Sequence, residues 1–540
     1  MAVVERFGYR LREQQAEILK YPLKGGLLGI SSVPGSGKTQ ILAMLAASLI
    51  IDGYLGSDAA KDAEVLVVTV QNTAVDQISK RIRQILASEN LPPVGFRVCT
   101  LHKLASDILR LRQDLAGLEE DFSIVDETEA RRQMNLAFST WKAAHSDWWE
   151  SFLPDDRGDK ASSRWQDETI NLGLAVSKLC KHLRLSPLEA QMALVGDATP
   201  ESSHSSAGWL NMGLGLYTLY ARYLQTGARL DFDDLIWRAL DALEQDHGFR
   251  SNLKERWPYI LEDEAQDSSP LQEKILSQLS GATPNWVRVG DPNQAINSTF
   301  TSADPRFFRA FIERPDVSCL PLDESGRSGR QIIDLANHLV EWTTSSHSVQ
   351  AVRVIAFKRQ AIRPTGPADL QQNPLDEECS VHLRASGYGS QEKEAEAVVC
   401  AAKAHLEKHP DRSLAVLCPT GLQGTRVLEA FSQLEGAPPV DDLLKSTPKT
   451  RDVARVLGAV VNYLAEPTDR NALVGAYKAL LMGRYLGTES PVAEEALRQA
   501  LTLARSLQVA EYVFPRATST IRDLLPETVA LDDATGASLS

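Results

Sequence analysis

The stretch LLGISSVPGSGKT at residues 27–39 decides the fold, because it reads as a strand, a glycine turn and the start of a helix. Residues 27–31 are a short apolar run of strand type, and residues 40–51 are a helical run. Phosphate binding needs backbone N–H groups that converge on one point, and Gly35 and Gly37 remove side chains at the tightest places. The pattern therefore predicts a phosphate-binding loop between a buried strand and a helix.

Each position of this loop has an expected part in binding a nucleotide. The helix that begins near Lys38 adds its positive end, Lys38 can reach the β- and γ-phosphates, and the Thr39 hydroxyl can bind Mg²⁺. Ser32 stands where the usual pattern begins with glycine. Taken alone, the pattern also fits a plain glycine turn between a strand and a helix. The predicted loop residues are Ser32, Val33, Pro34, Gly35, Ser36, Gly37, Lys38 and Thr39.

A second motif, ILEDEAQD at residues 260–267, lies at the end of an apolar run that predicts a buried strand. Asp263 and Glu264 would lie at the carboxyl end of that strand, where ligands of open α/β sheets bind. Asp263 suits Mg²⁺, and Glu264 is free to orient and deprotonate an attacking water. A solvated turn is the alternative interpretation, but it does not explain the strand-like run at 286–289. Gln294 follows that run and is placed to sense a γ-phosphate.

Further segments that resemble motifs of one known family are LREQQ at 11–15, TVQNTAVDQISKRI at 69–82, TLHKLA at 100–105, DFDDLI at 231–236, VGDPNQAI at 289–296 and LDESGRSGRQI at 322–332. In this order they resemble the motifs of the UvrD/Rep-like superfamily 1 DNA helicases, and the resemblance covers residues 8–335. The resemblance implies ATP and Mg²⁺ as cofactors and single-stranded DNA as the partner. It also implies movement along the DNA in the 3′→5′ direction.

The resemblance assigns roles to single residues of this sequence. It implies a catalytic set of Glu264, Lys38, Gln294 and Arg327. It implies adenine recognition by Gln15, and Mg²⁺ binding by Thr39 and Asp263. It implies contacts to single-stranded DNA from Asn72, Thr100, His102 and Phe300. Gly326, Val70 and Asn297 stand where the family often has aromatic residues, so base stacking departs from the family pattern.

The family completes its ATP site with motifs V and VI, and residues 331–540 carry no match to either. We therefore expect a chain that stops before the second core is completed, with a protein partner or another segment supplying those motifs. Two functions stay open: an ATP-dependent DNA helicase or translocase, and a truncated ATP- and DNA-binding fragment without efficient turnover. A small-molecule kinase with a phosphate loop is a third alternative, but DEAQD and GDPNQ are not expected there.

Hydrophobic patterning predicts an α/β fold with a parallel sheet wrapped by helices. The resemblance implies that this sheet belongs to a RecA-like core with helical inserts. The predicted domains are a first RecA-like core at 1–105 and 226–330, a helical insert at 106–225, a partial second RecA-like core at 331–440, and the start of its helical insertion at 441–540. Within the second core, 380–384 and 414–418 read as strands, and the proline-rich stretch 358–378 reads as a linker. Residues 529–540 read as a disordered tail.

Composition limits the cellular setting and the partners. The net charge of −14 argues against a globally basic nucleic-acid binder, but a motor needs only a local basic groove. No apolar run has the length of a membrane span and the N-terminus has no apolar signal core, so we expect a cytoplasmic protein. The six cysteines contain no C-x-x-C pair, which argues against a zinc or iron–sulfur site.

Overall fold

The computed structural model describes residues 4–54, 62–115, 122–150, 159–194, 206–281, 284–294, 305–376, 380–384, 386–442, 448–465, 467 and 470–485. The strands are β1 Val4–Arg6, β2 Tyr9–Leu11, β3 Leu27–Ser32, β4 Val65–Thr69, β5 Phe96–Thr100, β6 Ser123–Ile124, β7 Arg229–Leu230, β8 Tyr259–Glu262, β9 Trp286–Gly290, β10 Val317–Leu322, β11 Glu324–Ser325 and β12 Arg363–Pro364.

The helices of the first half are α1 Glu13–Ile18, α2 Tyr21–Lys24, α3 Lys38–Ile51, α4 Asn72–Ser88, α5 Leu101–Leu111, α6 Glu127–Ala144, α7 Ser146–Glu150, α8 Asp159–His182, α9 Pro187–Leu194, α10 Ser206–Thr226, α11 Phe232–Gln245 and α12 His247–Arg256. A 3₁₀ turn, Ala265–Asp267, follows β8. The later helices are α13 Pro270–Ser280, α14 Pro305–Ile312, α15 Arg330–Ser346, α16 Gln350–Ile355, α17 Gln391–Lys408, α18 Gly421–Gln433, α19 Pro448–Ala465 and α20 Arg470–Tyr485.

A parallel sheet of six strands organises the first part of the chain, in the order β10-β3-β9-β8-β4-β5. β3 lies between β10 and β9, and β8 lies beside β9. Since the carboxyl ends of parallel strands share one edge, the segments that follow β3, β8 and β9 meet there. The predicted α/β fold with a parallel sheet is confirmed.

Both faces of the central strands of this sheet are covered, and β4, β8 and β9 are buried along their whole length. On β4, Leu66 and Val68 face the core formed with α5, α11, α13 and α14. Val65 and Val67 face the opposite core, formed chiefly with α3 and α4. The parallel strands are thereby wrapped by helices on both sides.

Helices α6 to α10, called the insert here, lie between β5 and β8 in the chain. Trp141 and Trp149 are buried in its core and serve as packing residues. The fully buried Lys181 of α8 donates hydrogen bonds to Asp231 and Asp234 at the start of α11. This ion cluster joins the insert to the sheet domain. No helix in the described part of the chain is long and apolar enough to cross a bilayer.

The residues group into two compact units, Met1–His382 and Leu383–Ser540. In the second unit, α17 packs on α18 through Val399, Ala402 and Phe431. The predicted strands at 380–384 and 414–418 are wrong, because their described residues pair with no other strand. Leu383 and Leu417 are 77% and 93% exposed, since an apolar run becomes a strand only beside a partner that takes up its hydrogen bonds. The predicted disordered tail at 529–540 lies outside the described residues.

The predicted linker at 358–378 is also wrong over its described part. Residues 358–373 pack on the rest of the first unit, and strand β12, which lies within them, pairs with β11. Its polar side chains and backbone form hydrogen bonds with the sheet domain. Gly366 and Pro367 mark a turn of this docked segment. Residues 331–382, predicted to begin a partial second core, are grouped with the first unit.

A buried charge pair links β8 to β9, an arrangement that the sequence analysis did not foresee. Arg288 is 0% exposed and its Nε lies 2.8 Å from Oε2 of Glu262, which is 2% exposed. Its Nη1 lies 3.1 Å from Glu273 Oε2, and its guanidinium lies over the rings of Trp286 and Phe311. Opposite charges at paired positions of two apolar strands were the available signal.

Replacing Arg288 by methionine is expected to lower the free energy of unfolding by about 3–5 kcal/mol, because Glu262 is left buried without its partner. The double variant Glu262→Leu/Arg288→Met should recover most of this loss, since an apolar pair removes both charges. Urea unfolding of the full chain, followed by tryptophan emission, measures both. The control is Arg314→Met, whose exposed pair with Asp316 should change stability by less than about 1 kcal/mol. Equal losses in the control and in Arg288→Met would contradict the prediction.

Candidate functional site

The loop that follows β3 has the geometry of a phosphate-binding loop. Gly35 and Gly37 have φ values of 75° and 86°, in the left-handed region that favours glycine. A Cβ built on Gly35 would also lie 2.6 Å from Cβ of Arg327 and from Oγ of Ser325. Helix α3 begins directly after Gly37, so its free N–H groups point toward the loop.

Ser32, the departure from the usual glycine, is accommodated without filling the loop. Its side chain is buried and its Oγ donates a hydrogen bond to the carbonyl of Gly290 at the end of β9. The Val33 N–H bonds to the carbonyl of Leu322 on the other neighbouring strand. The hydroxyl thus points sideways between strands.

Lys38 and Glu264 are brought into direct contact. The Lys38 ammonium donates a hydrogen bond of 2.7 Å to Oε2 of Glu264. The same carboxylate oxygen accepts from Gln266 Nε2 at 2.7 Å, and Gln266 Oε1 accepts from the Asp291 N–H at 3.0 Å. Gln266 therefore joins the acidic motif to the segment after β9.

Glu264 also has a strained backbone that the sequence analysis did not predict. Its φ and ψ are 53° and 42°, a left-handed conformation that is uncommon for residues with a Cβ. Strain of this kind costs about 1–3 kcal/mol and is concentrated at functional sites. The amino-acid sequence does not indicate this conformation, because it depends on how the chain bends between the end of β8 and the start of the 3₁₀ turn.

Two buried carboxylates flank this contact. Burial, reinforced by the Glu264 charge, raises the pKa of Asp263 to about 7. Burial likewise raises the pKa of Asp291 to about 6. Asp263 Oδ1 and Asp291 Oδ2 are buried without a hydrogen-bond partner, as are the Oγ of Ser36 and the Nε2 of Gln40. Buried acceptors without partners fit a divalent cation, which would favour the ionised carboxylates.

These residues fit Mg²⁺ better than a metal held by the protein alone. Within the described ranges, no group of three or more His, Cys, Asp or Glu side chains could hold an ion. Mg²⁺ is usually bound by one or two carboxylates, waters and substrate phosphates. Asp263 and the hydroxyl of Thr39, the second residue of α3, could supply such a limited set.

Of the other predicted nucleotide-site residues, Arg327 and Gln15 lie at the loop. Arg327 is exposed, and its Cβ lies against Gly35. Gln15 Nε2 donates a hydrogen bond of 3.2 Å to the Ser36 carbonyl. Gln294 is exposed and its N–H bonds to Asp291, but none of its described contacts reaches Glu264 or Lys38.

The predicted DNA-contact residues Asn72, Thr100 and His102 lie at or just after the ends of β4 and β5, which are adjacent in the sheet. Asn72 is exposed at the start of α4. The Thr100 hydroxyl caps α5 by accepting from the Lys103 N–H, so its expected DNA contact competes with a structural role. Burial lowers the pKa of His102, whose ring packs edge-on against Phe232. Phe300 lies outside the described residues.

A small cavity of about 30 Å³ connects this edge to the acidic motif. Its lining includes Thr69, Val70, His102, Glu262 and Asp263. The candidate DNA-contact edge and the carboxylate suited to Mg²⁺ therefore border one space. The proximity of these two sites follows from the strand order, which places β4 beside β8.

Comparison with known proteins agrees with this geometry. A family model for the UvrD/REP helicase N-terminal domain matches residues 11–316. The chain is 26% identical over 349 residues to the ATP-dependent DNA helicase UvrD2 of Mycobacterium tuberculosis (strain ATCC 25618 / H37Rv), which covers 61% of this chain and 43% of that protein. It is 25% identical over 332 residues to the ATP-dependent DNA helicase PcrA of Staphylococcus aureus (strain NCTC 8325 / PS 47), covering 61% and 40%. The chain thus spans less than half the length of the curated relatives it matches.

Proposed function

The chain belongs to the UvrD/REP helicase family, and from this premise we propose that it hydrolyses ATP to move along single-stranded DNA. The observation that carries the proposal is the contact of Lys38 with Glu264 beside a left-handed glycine loop. A lysine at a phosphate loop and a carboxylate able to activate water are the two parts that ATP hydrolysis requires. A simple glycine turn would not need them within one hydrogen bond.

Phosphate binding is assigned to the loop of residues 32–39. Its backbone N–H groups and the start of α3 would hold the phosphate oxygens. A phosphate that binds Lys38 must compete with Glu264 for the ammonium. Exchange of this ion pair would release the Glu264 carboxylate at the moment when the nucleotide is bound.

Glu264 is the proposed base, and Asp263 with Thr39 would hold Mg²⁺. Bound Mg²⁺ supplies positive charge that neutralises the phosphate oxygens. Gln266 keeps the Glu264 carboxylate in place, so that the carboxylate can orient the attacking water and accept its proton. Arg327 would neutralise charge on the γ-phosphate, Gln294 would sense that phosphate, and Gln15 would recognise adenine.

Single-stranded DNA is the proposed partner, held at the edge formed by Asn72, Thr100 and His102, with Phe300 as a further contact. The 3′→5′ direction and a cytoplasmic setting are proposed by analogy with the family. The small cavity beside Asp263 supports communication between DNA and the nucleotide site. A protein or chain segment that supplies motifs V and VI is a proposed further partner.

The test is ATP hydrolysis by residues 1–540 with Mg²⁺, with and without single-stranded DNA. We expect DNA-stimulated turnover, and we expect Lys38→Ala to abolish it, because the phosphates lose their main cationic side chain. Lys408→Ala, which removes an exposed lysine at the end of α17, is the control and should keep wild-type turnover. ATP binding without turnover would favour a binding protein that needs a partner. Failure to bind ATP would contradict the proposal.

A further inference from the structure

The segment of residues 358–373, called the strap here, touches several parts of the candidate nucleotide site. Its backbone and side chains bond to the segment after β9, to the end of β3, to β11 with its flanking residues, and to the residue before α1. The bonded pairs are Lys358 with Asn293, Gln360 with Ser31, Arg363 with Asp323, Asp369 with Arg12, and Asn373 with Ser325 and Ser328. The strap is thus a wall of this site.

Arg12 is the residue through which the strap reaches the phosphate loop. Its Nε donates to Asp369 Oδ2 at 2.7 Å, and its Nη2 lies 3.4 Å from the other carboxylate oxygen. Its Nη1 donates to the carbonyls of Glu324 at 3.1 Å and Ser36 at 3.4 Å. One guanidinium therefore fixes three separate segments.

The same arginine holds Gln15. The Arg12 N–H donates to Gln15 Oε1 at 3.1 Å, and Gln15 Nε2 donates to the Ser36 carbonyl that also accepts from Arg12. The first bond comes from the backbone N–H of Arg12 at the start of α1. The second shares the Ser36 carbonyl with the Arg12 guanidinium, so the Arg12 side chain acts on Gln15 through Ser36. These contacts meet the loop at Ser36, whereas the phosphate chemistry is centred on Lys38 and Glu264.

The strap is closely fitted at this place. A Cβ built on Gly326 would lie 2.2 Å from the carbonyl oxygen of Gln371, so only glycine leaves room for the strap. Arg12 and Asp369 side chains are 11% and 16% exposed, which favours a strong ion pair. Burial alone would raise the pKa of Asp369. The hydrogen bonds from Arg12 and from the Gln371 N–H, together with the charges of Arg12 and Arg10, outweigh burial, and the pKa lies below its ordinary value.

We propose that Arg12 and Asp369 are positioning residues that set the preference of this site for ATP over other nucleotides, by holding Gln15 at Ser36. The strap holds the Arg12 guanidinium through Asp369. That guanidinium shares the Ser36 carbonyl with the amide of Gln15, the residue expected to read the base. The phosphate end keeps its own contacts. This inference rests on the proposed function, since it assumes that ATP binds at residues 32–39 with its base at Gln15.

The test is equilibrium binding of ATP, GTP and inorganic tripolyphosphate, each with Mg²⁺, to the full chain and to Asp369→Ala. We expect ATP affinity to fall by about tenfold, as when a hydrogen bond to a charged group is lost. Tripolyphosphate affinity should stay unchanged, and the ratio of ATP to GTP affinity should fall with the ATP affinity. Asp376→Ala, an exposed carboxylate just beyond the strap, is the matched control and should alter none of the three.

Gly326→Ala gives a second route to the same result, because its Cβ displaces the strap without removing a charge. We expect the same selective loss of ATP affinity. A parallel loss of ATP and tripolyphosphate affinity would overturn the inference, since the residues would then support the loop as a whole. Unchanged ATP affinity in both variants would also overturn it. If the unsubstituted chain binds tripolyphosphate but not ATP, the proposed function itself fails.

Discussion

Replacing Glu264 by glutamine is expected to lower kcat for ATP hydrolysis by about 10²–10⁴-fold, because the attacking water loses the carboxylate that accepts its proton. ATP binding should be kept or strengthened. In the described structure the Lys38 ammonium bonds to Glu264 at 2.7 Å, and a neutral side chain competes less well with phosphate for it. Single-turnover hydrolysis and equilibrium ATP binding, measured on the same protein, separate the two effects.

The matched control for this substitution is Glu313→Gln, at an exposed glutamate of the same unit that pairs with Lys358. It should leave both measurements unchanged. Loss of ATP binding in Glu264→Gln would mean that the carboxylate holds the loop together and does not act as the base. Retained hydrolysis would show that another group activates water, with Asp263 as the first candidate because its pKa is raised to about 7.

Replacing Arg327 by alanine is expected to lower the rate of hydrolysis by about 10³–10⁵-fold, the range for an arginine that stabilises charge in phosphoryl transfer. Arg327 is exposed and its Cβ lies against Gly35, so its guanidinium can reach a phosphate without first breaking a buried contact. ATP affinity should change much less than the rate. Lysine at this position should recover only part of the rate, because it lacks the planar fork of arginine.

Arg330→Ala is the comparison that identifies the responsible arginine. Arg330 lies three positions further on, at the start of α15, and is exposed beside Asp334. It should keep wild-type turnover. If Arg330→Ala were inactive and Arg327→Ala active, the γ-phosphate contact would belong to Arg330 and the assignment to Arg327 would be wrong.

Local pattern predicted the sheet domain well and the later chain poorly, for one physical reason. Helix α3 contains the predicted helical run 40–51, and β3 contains the predicted strand run 27–31, because the apolar pattern of each element and the glycine turn between them are local. The runs at 380–384 and 414–418 have the composition of strands but no partner in the described structure. Strand formation needs distant hydrogen-bond partners, and composition does not supply them.

The candidate site also contains some features that could be predicted from the sequence and others that could not. Lys38 and Glu264 could be predicted as neighbours, since motifs at the ends of parallel strands share an edge of the sheet. The left-handed backbone of Glu264, the Ser32 bond to Gly290 and the role of Arg12 could not be predicted. Each of these depends on a contact between residues far apart in sequence or on the shape of one turn.

The strand order has a consequence for synthesis on the ribosome. Both neighbours of β3 in the sheet, β9 and β10, are made after it, and β9 begins about 250 residues later. At about 5–20 residues per second, translation leaves β3 without its sheet partners for roughly 10–50 s. The phosphate loop lies within the first 39 residues, yet its supporting strands are completed only when residue 322 has been made. A nascent chain released before that point would carry the loop sequence but not the sheet that holds it.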